Sequence, residues 1–242
     1  AKMSDSLAGG IFSSRDISGD CRMFTQALSN RLVASGRCEF CFGTTVHEFL
    51  VDDSGVVTVQ TNQGVLAADH VVVTAGFAST SLMEPLGIYL PIYPVKGYSM
   101  TFPILNGNQV PKYPGIDEDH LVSYARYGNR LRITSVAEFA GDDESLVSER
   151  LKVITDFAHR MCGDALDYAN VEQWAGLRPA TPASSPYIGR VAALRNLWVN
   201  AGHGQLGWSM SAGSGRLLAD AMSGQSLELT GVSSKADWLI PL

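Results

Sequence analysis

The sequence predicts an α+β fold, in which blocks of short strands are set between single helices. Three observations carry that expectation. Residues 46–73 hold short β-branched segments separated by Asp53-Ser54-Gly55 and Asn62-Gln63-Gly64, both turn signals. Helical spacing is confined to isolated stretches at 19–34, 145–161 and 208–222. No regular strand–helix–strand alternation joins them, and no internal repeat is present.

Taken in order, residues 19–34 place Phe24, Ala27, Leu28, Leu32 and Val33 on an apolar helical face, and Gly36 can end that helix. Candidate strands follow at 38–42, 46–51, 55–61 and 65–67. The run His70-Val71-Val72-Val73-Thr74-Ala75-Gly76 reads as a buried strand that hands over to a glycine loop. Residues 86–102 are an extended connection entering a strand, and 106–119 read as a loop. A hairpin is expected from 121–126 and 130–136 across Tyr127-Gly128-Asn129. Leu146, Leu151, Ile154, Phe157, Ala158 and Met161 make the apolar face of the helix at 145–161. Strands at 171–177 and 197–200 precede the last helix, and Gly224 lies beyond its end.

Composition bounds the function. The 242 residues are 45% hydrophobic and 17% charged, which excludes the disordered class. Lys plus Arg number 18 against 24 Asp plus Glu, for a net charge of −6. An acidic chain without a basic run excludes general nucleic-acid binding. No apolar run reaches the roughly 18 residues of a membrane-spanning helix. The opening Ala1-Lys2-Met3-Ser4-Asp5 lacks the pattern of a signal peptide, and a fragment or processed product is expected. Cys21, Cys38, Cys41 and Cys162 do not form a disulfide framework in a chain of this length. The single Cys38-Glu39-Phe40-Cys41 pair is a weak zinc signal, because strand alternation would turn its sulfurs to opposite faces. It reads as structural, and no metal site is expected.

Gly202-His203-Gly204-Gln205-Leu206-Gly207 fits the GxGxxG dinucleotide pattern, between a strand and a helix. The second strand and acidic residue of that unit are missing after Gly224. What remains is a helix N-terminus with free backbone N–H groups that can hold negative charge. A turn that only joins strand to helix is the plain alternative.

Four blocks together resemble the C-terminal part of FAD-dependent D-amino-acid dehydrogenases and glycine-oxidase-like relatives. They are Gly9-Gly10 with Ser18-Gly19-Asp20-Cys21; Val71 to Gly76; Tyr93-Pro94-Val95-Lys96-Gly97-Tyr98-Ser99; and Trp174-Ala175-Gly176-Leu177-Arg178-Pro179-Ala180-Thr181-Pro182. The last continues into Pro186-Tyr187-Ile188-Gly189-Arg190 and Asn200-Ala201-Gly202-His203-Gly204-Gln205-Leu206-Gly207-Trp208-Ser209. The resemblance implies a mixed-sheet substrate domain plus the C-terminal part of the FAD domain, without the N-terminal dinucleotide-binding βαβ unit. It implies a partial FAD-domain segment at 1–76, a substrate domain at 77–175 and a return to the FAD domain at 176–242.

The resemblance also implies roles. Arg178 matches the arginine that holds the substrate α-carboxylate, a task suited to a planar guanidinium fork. Tyr98, His120 and Tyr124 fall at or near substrate-facing positions; His120 rather than Tyr124 aligns with a substrate-contacting tyrosine of relatives. Val46, Thr74, Ala75 and Gly76 match positions near the adenosine and pyrophosphate. Gly202, His203, Gly204, Gln205, Leu206, Gly207 and Trp208 match the flavin-contacting turn. No catalytic side-chain base is implied. The implied reaction is oxidative deamination of an amino acid or amine by hydride transfer to FAD, with the chain inactive by itself. A second chain carrying the GxGxxG segment and a quinone or electron-transfer partner are implied as partners, with a cytoplasmic location peripheral to the inner membrane. The alternative is a non-catalytic, substrate-binding subunit. A hydrolase built on Ser209, Ser211 or Ser214 with His203 lacks the GxSxG signature.

Overall fold

The computed structural model describes residues 9–225. In chain order the elements begin with α1 (Cys21–Ala34), β1 (Val46–Val51), β2 (Val57–Thr61), β3 (Gly64–Leu66), β4 (Val71–Val73), α2 (Ser79–Met83) and β5 (Tyr93–Pro103). They continue with β6 (Gly115–Asp117), β7 (Val122–Tyr127), β8 (Arg130–Phe139), α3 (Ser148–Cys162), β9 (Glu172–Ala180), β10 (Tyr187–Arg190), β11 (Leu197–Ala201) and α4 (Gly207–Met222). Two compact units result, Ala1–Cys38 with Lys96–Leu177, and Glu39–Val95 with Arg178–Leu242. These breaks reflect compactness, whereas the expected divisions at 76/77 and 175/176 concern ligand roles. Residues 226–242 of the expected return segment lie outside the described residues.

The first unit is built on a five-stranded sheet of order β6-β7-β8-β5-β9. From Lys96 to Phe102, β5 is buried at every residue, as suits an interior strand. Leu151, Ile154, Phe157, Ala158 and Met161 recur on one side of α3 and are buried with Tyr98, Met100, Phe102, Val122, Leu131 and Ile133 of the sheet. The hairpin β7–β8 closes at the Tyr127–Arg130 pair, with Gly128 at φ +61°. β8 runs past its expected end at 136 and passes through Val136 at φ +70°. The helix α1 is capped by Asp20, whose carboxylate accepts from the N–H groups of Arg22 and Met23 at 3.0 and 3.1 Å.

The second unit holds two small sheets. β1, β2 and β3 form an antiparallel meander, with a register shift between Val46 and Glu48. In the other sheet, of order β10-β11-β4, β11 is antiparallel to β10 and parallel to β4. Asn196 clips the two sheets together. Its Oδ1 accepts from Val57 N at 2.8 Å, and its Nδ2 donates to the carbonyls of Val57 and Ala68 at 3.0 and 3.2 Å. Val57, Met83, Leu90, Val191, Leu197 and Val199 fill the core beside it.

Two expectations need correction. Residues 38–42 form no strand: Cys38, Phe40, Cys41 and Phe42 are exposed, and the two rings stack at 5.6 Å. The loop at 106–119 contains the edge strand β6, paired to β7. The short elements α2 and β10 carry no periodicity long enough to mark them.

Candidate functional site

In the second unit, the parallel pairing of β4 and β11 sets the site. Leu197, Trp198 and Val199 lie beside Val71, Val72 and Val73, so both strands end at the same edge. Thr74-Ala75-Gly76 leaves one strand there and Gly202-His203-Gly204 leaves the other. The structure therefore brings together two segments that are far apart in sequence. Loops at the carboxyl ends of parallel strands are where ligands bind in sheets of this kind.

The turn after β11 needs its glycines. Gly202 sits at φ +85° and Gly204 at φ +55°, and Gly76 takes φ +60° at the end of the neighbouring strand. A β-carbon at Gly202 would fall 2.7 Å from Thr181 Cγ2 and 3.4 Å from the Tyr187 ring. At Gly76 and Gly204 a β-carbon would meet no atom within 4 Å, which leaves the outer side of this edge open. A single 3-10 turn at Gly204–Leu206 leads directly into α4, whose N-terminus has no side-chain cap. The positive end of the helix dipole is thus presented at this edge without a side-chain cap.

Two side-chain atoms at this edge, Asn200 Oδ1 and His203 Nε2, are buried without a hydrogen-bond partner. Buried polar atoms are almost always paired, so these two fit a bound polar group. Burial also lowers the His203 pKa, which keeps the ring neutral near pH 7. Open glycine turns, an uncapped helix start and orphaned polar atoms together suit a planar heteroaromatic cofactor such as a flavin. Arg178, near the end of β9, is half-buried, and burial lowers its pKa from the usual arginine value. The same WxGLRPxTP block delivers Thr181 against Gly202. Gln205 and Leu206 are exposed on the 3-10 turn, and Trp208 is 43% exposed in the first turn of α4. Val46 stands in the meander, at the start of β1, rather than at the β4–β11 edge.

The remaining expected residues belong to the first unit. Tyr98 is fully buried, and its hydroxyl donates to Glu138 Oε2 at 2.6 Å. Desolvation and the Glu138 charge raise the Tyr98 pKa. Arg150 Nε donates to the other oxygen of Glu138 at 3.1 Å. Beside it, fully buried Lys96 reaches Asp143 at 3.0 Å. Hydrogen bonds from Ser145 and Lys96 pull Asp143 down to about 2. For Lys96, burial opposes the charge, but bonds to Asp143 and Tyr98 outweigh it and raise the pKa.

His120 and Tyr124 are brought together over Phe157, at ring distances of 5.8 and 6.4 Å. Arg160 Nη1 lies 3.1 Å from His120 Nε2, and an arginine can only donate. The His120 proton therefore sits on Nδ1, facing Asp117 at 2.9 Å. An open groove of about 400 Å³ on this unit, lined by Met100, Leu151, Thr155, His159 and Gln173, includes none of the expected residues. Among the described residues, no group of three His, Cys, Asp or Glu side chains could hold a metal ion.

Sequence reasoning missed Thr181, Tyr187 and Asn200 as site residues, and the ion network around Lys96. Asn200 carried a signal, as a polar residue closing the apolar strand Leu197-Trp198-Val199. Lys96 carried one too, as a charge inside an apolar strand.

Residues 1–221 match the family described as DAO, FAD dependent oxidoreductase. The chain belongs to that family. It is 44% identical over 219 residues to a D-amino acid dehydrogenase of Paramagnetospirillum magneticum, a match spanning 90% of this chain and 51% of the relative. A D-amino acid dehydrogenase of Bradyrhizobium diazoefficiens is 41% identical over 95% of this chain and 54% of its own length. Among solved structures, glycine oxidase from Geobacillus kaustophilus superposes with a TM-score of 0.75 at 25% identity, over 84% of this chain and 54% of that one. The chain spans about half the length of the curated relatives it matches.

Proposed function

We propose that the chain is part of an FAD-dependent enzyme that oxidatively deaminates an amino acid, with D-amino acids as the substrate class. The observation that carries this reading is the 44% identity to a D-amino acid dehydrogenase across 90% of the chain. The β4–β11 edge, with its glycine turns and orphaned polar atoms, supports it independently.

When bound, FAD supplies the hydride acceptor. The chain's residues bind and orient around it. Arg178 pairs with the substrate carboxylate through its planar fork and so fixes the α-carbon. Backbone N–H groups of the 203–207 turn and the start of α4 hold electron-rich ring atoms. Gly202, Gly204 and Gly76 allow backbone to approach closely, and Thr74, Ala75 and Val46 serve the remainder of the cofactor. His203 stays neutral and holds polar atoms in place rather than acting as a base. His120 and Tyr124 serve substrate contacts in the first unit; Tyr98, fully buried with its hydroxyl on Glu138, packs the core of that unit instead. The substrate amine, when neutral, needs no side-chain base, and the imino acid product hydrolyses to a 2-oxo acid and ammonia.

Because half of each relative lies outside the match, a portion carrying the rest of the nucleotide site belongs to this proposal, on the same or a second polypeptide. So do transfer of electrons onward to a quinone or protein acceptor and a position at the cytoplasmic face of a membrane. Among the described residues, no helix is long and apolar enough to cross a membrane.

The test is Arg178→Ala in the flavin-containing assembly. Loss of a half-buried charge pair costs about 2–5 kcal/mol, so the KM for a D-amino acid rises by about 30-fold or more. Arg178→Lys restores part of the loss, since an ammonium keeps the charge without the fork. An unchanged KM would remove Arg178 from the site.

A further inference from the structure

The five-stranded sheet of the first unit has two unlike faces, because side chains alternate across it. Tyr98, Met100 and Phe102 of β5, Leu131 and Ile133 of β8 and Ala175 of β9 pack with α3. The residues between them turn the other way: Ser99 and Thr101 on β5, Arg132 and Thr134 on β8, Trp174 and Gly176 on β9. This second face is polar where the first is apolar.

Ser99 is 3% exposed, and its hydroxyl oxygen is buried without a hydrogen-bond partner. Buried polar atoms are almost always paired, and an orphan costs stability until something supplies the partner. Thr101, two residues on, is also buried, and its Oγ1 accepts from Arg132 Nε at 3.0 Å. That bond fixes the half-buried Arg132 side chain against β5. Arg130, on the same strand, reaches Glu172 at 3.8 Å. Arg132 reaches no carboxylate among the described residues. A half-buried cation without a counter-charge is costly. On β9, a β-carbon at Gly176 would collide with the Trp174 ring, so the indole lies down over the glycine while the residue stays largely exposed.

We propose that Ser99, Thr101 and Arg132 form a second carboxylate site, and that it takes the side-chain carboxylate of an acidic D-amino acid. The proposal rests on the reading above, in which Arg178 takes the α-carboxylate, and makes Arg132 the residue that sets side-chain preference. With Nε committed to Thr101, the two terminal nitrogens of Arg132 present an end-on fork that matches the two oxygens of a planar carboxylate. The Ser99 hydroxyl adds one donor. One guanidinium balances one negative charge, which suits a carboxylate better than a phosphate carrying nearly two. Trp174 offers apolar surface to the methylenes of the same ligand.

The test uses the flavin-containing assembly, and its first arm needs no turnover. Succinate and glutarate carry two carboxylates and no amine, so they bind but are not deaminated; butyrate carries one carboxylate. Calorimetry should show the better diacid binding about 10-fold or more tightly than butyrate. Arg132→Gln should abolish that margin, and Arg132→Lys should restore part of it. Ser99→Ala should narrow the margin while leaving the melting temperature of the ligand-free assembly unchanged or higher, since its hydroxyl has no partner to lose. In turnover, the ratio of kcat/KM for D-aspartate or D-glutamate to that for D-alanine should fall by a similar factor in Arg132→Gln. A wild-type assembly that binds neither diacid better than butyrate would overturn the proposal. So would an Arg132→Gln variant that weakens diacid and butyrate equally, because Arg132 would then read the end that all substrates share. A lower ligand-free melting temperature for Ser99→Ala would mean that the hydroxyl is paired with protein, in this chain or in the family's unmatched portion, and would overturn it as well. Where Arg132→Gln does not fold, Arg132→Lys and Ser99→Ala are judged on the same margin. Diacid preference in an assembly whose flavin no D-amino acid bleaches would sink the functional reading alone. Bleaching by D-alanine without diacid preference would sink this proposal alone.

Discussion

At Gly202 two constraints act on one residue. Its φ of +85° disfavours any L side chain, and a β-carbon would stand 2.7 Å from Thr181 Cγ2. Gly202→Ala should therefore lower stability by at least about 1–2 kcal/mol and weaken flavin retention, both measurable on the assembled protein. Gly213 is the contrast. It lies inside α4 with no left-handed φ, and a β-carbon there meets nothing within 4 Å. Gly213→Ala should stabilise by about 0.5–1 kcal/mol, read as a higher melting temperature. The glycine pattern was legible because close approach leaves a sequence mark. The partners of those glycines were not, since Thr181 and Tyr187 reach Gly202 through folding rather than spacing. Tyr98 shows the same limit: its block was recognisable, but its bond to Glu138, 40 residues away, was not.

Between elements, single polar side chains do much of the joining. Asn196 holds the meander to the β4–β11 sheet through three hydrogen bonds, two of them to the fully buried Val57. Asn196→Ala would leave that backbone unpaired and should cost at least about 2 kcal/mol by chemical denaturation. Lys96 and Asp143 tie β5 to the turn before α3. The Asp143 pKa is lowered to about 2 by Ser145 and Lys96, so this contribution is present above the ordinary carboxylate range and fades as pH falls towards 2. The raised Lys96 pKa keeps the other partner charged until pH passes above 10.5. Asp143→Asn should lower the neutral plateau of the stability profile and flatten its acid limb, because the contribution it removes is the one present at neutral pH and already lost near pH 2. The long elements α1, α3, α4 and the meander were legible from periodicity and turn residues. The strand expected at 38–42 was not real, because apolar content cannot show whether a neighbour exists to hydrogen-bond with. β6 and β10 were invisible for the converse reason: pairing, not composition, makes three- and four-residue strands.

At the scale of the molecule, the chain interleaves two compact units, each assembled from two separate stretches of sequence. Periodicity alone could not show that return of the chain, because it reports on one element at a time. The parallel β4–β11 pair is the feature on which the functional account turns, since it gathers Gly76 and Gly202 at one edge. The measurement that tests this most directly is the visible absorption spectrum of the chain assembled with the family's unmatched portion, before and after anaerobic addition of a D-amino acid. Retained flavin bands that bleach on addition are expected, with bands lost from the Gly202→Ala variant. An assembled protein that retains no flavin, or whose flavin bands persist with every D-amino acid, would contradict it.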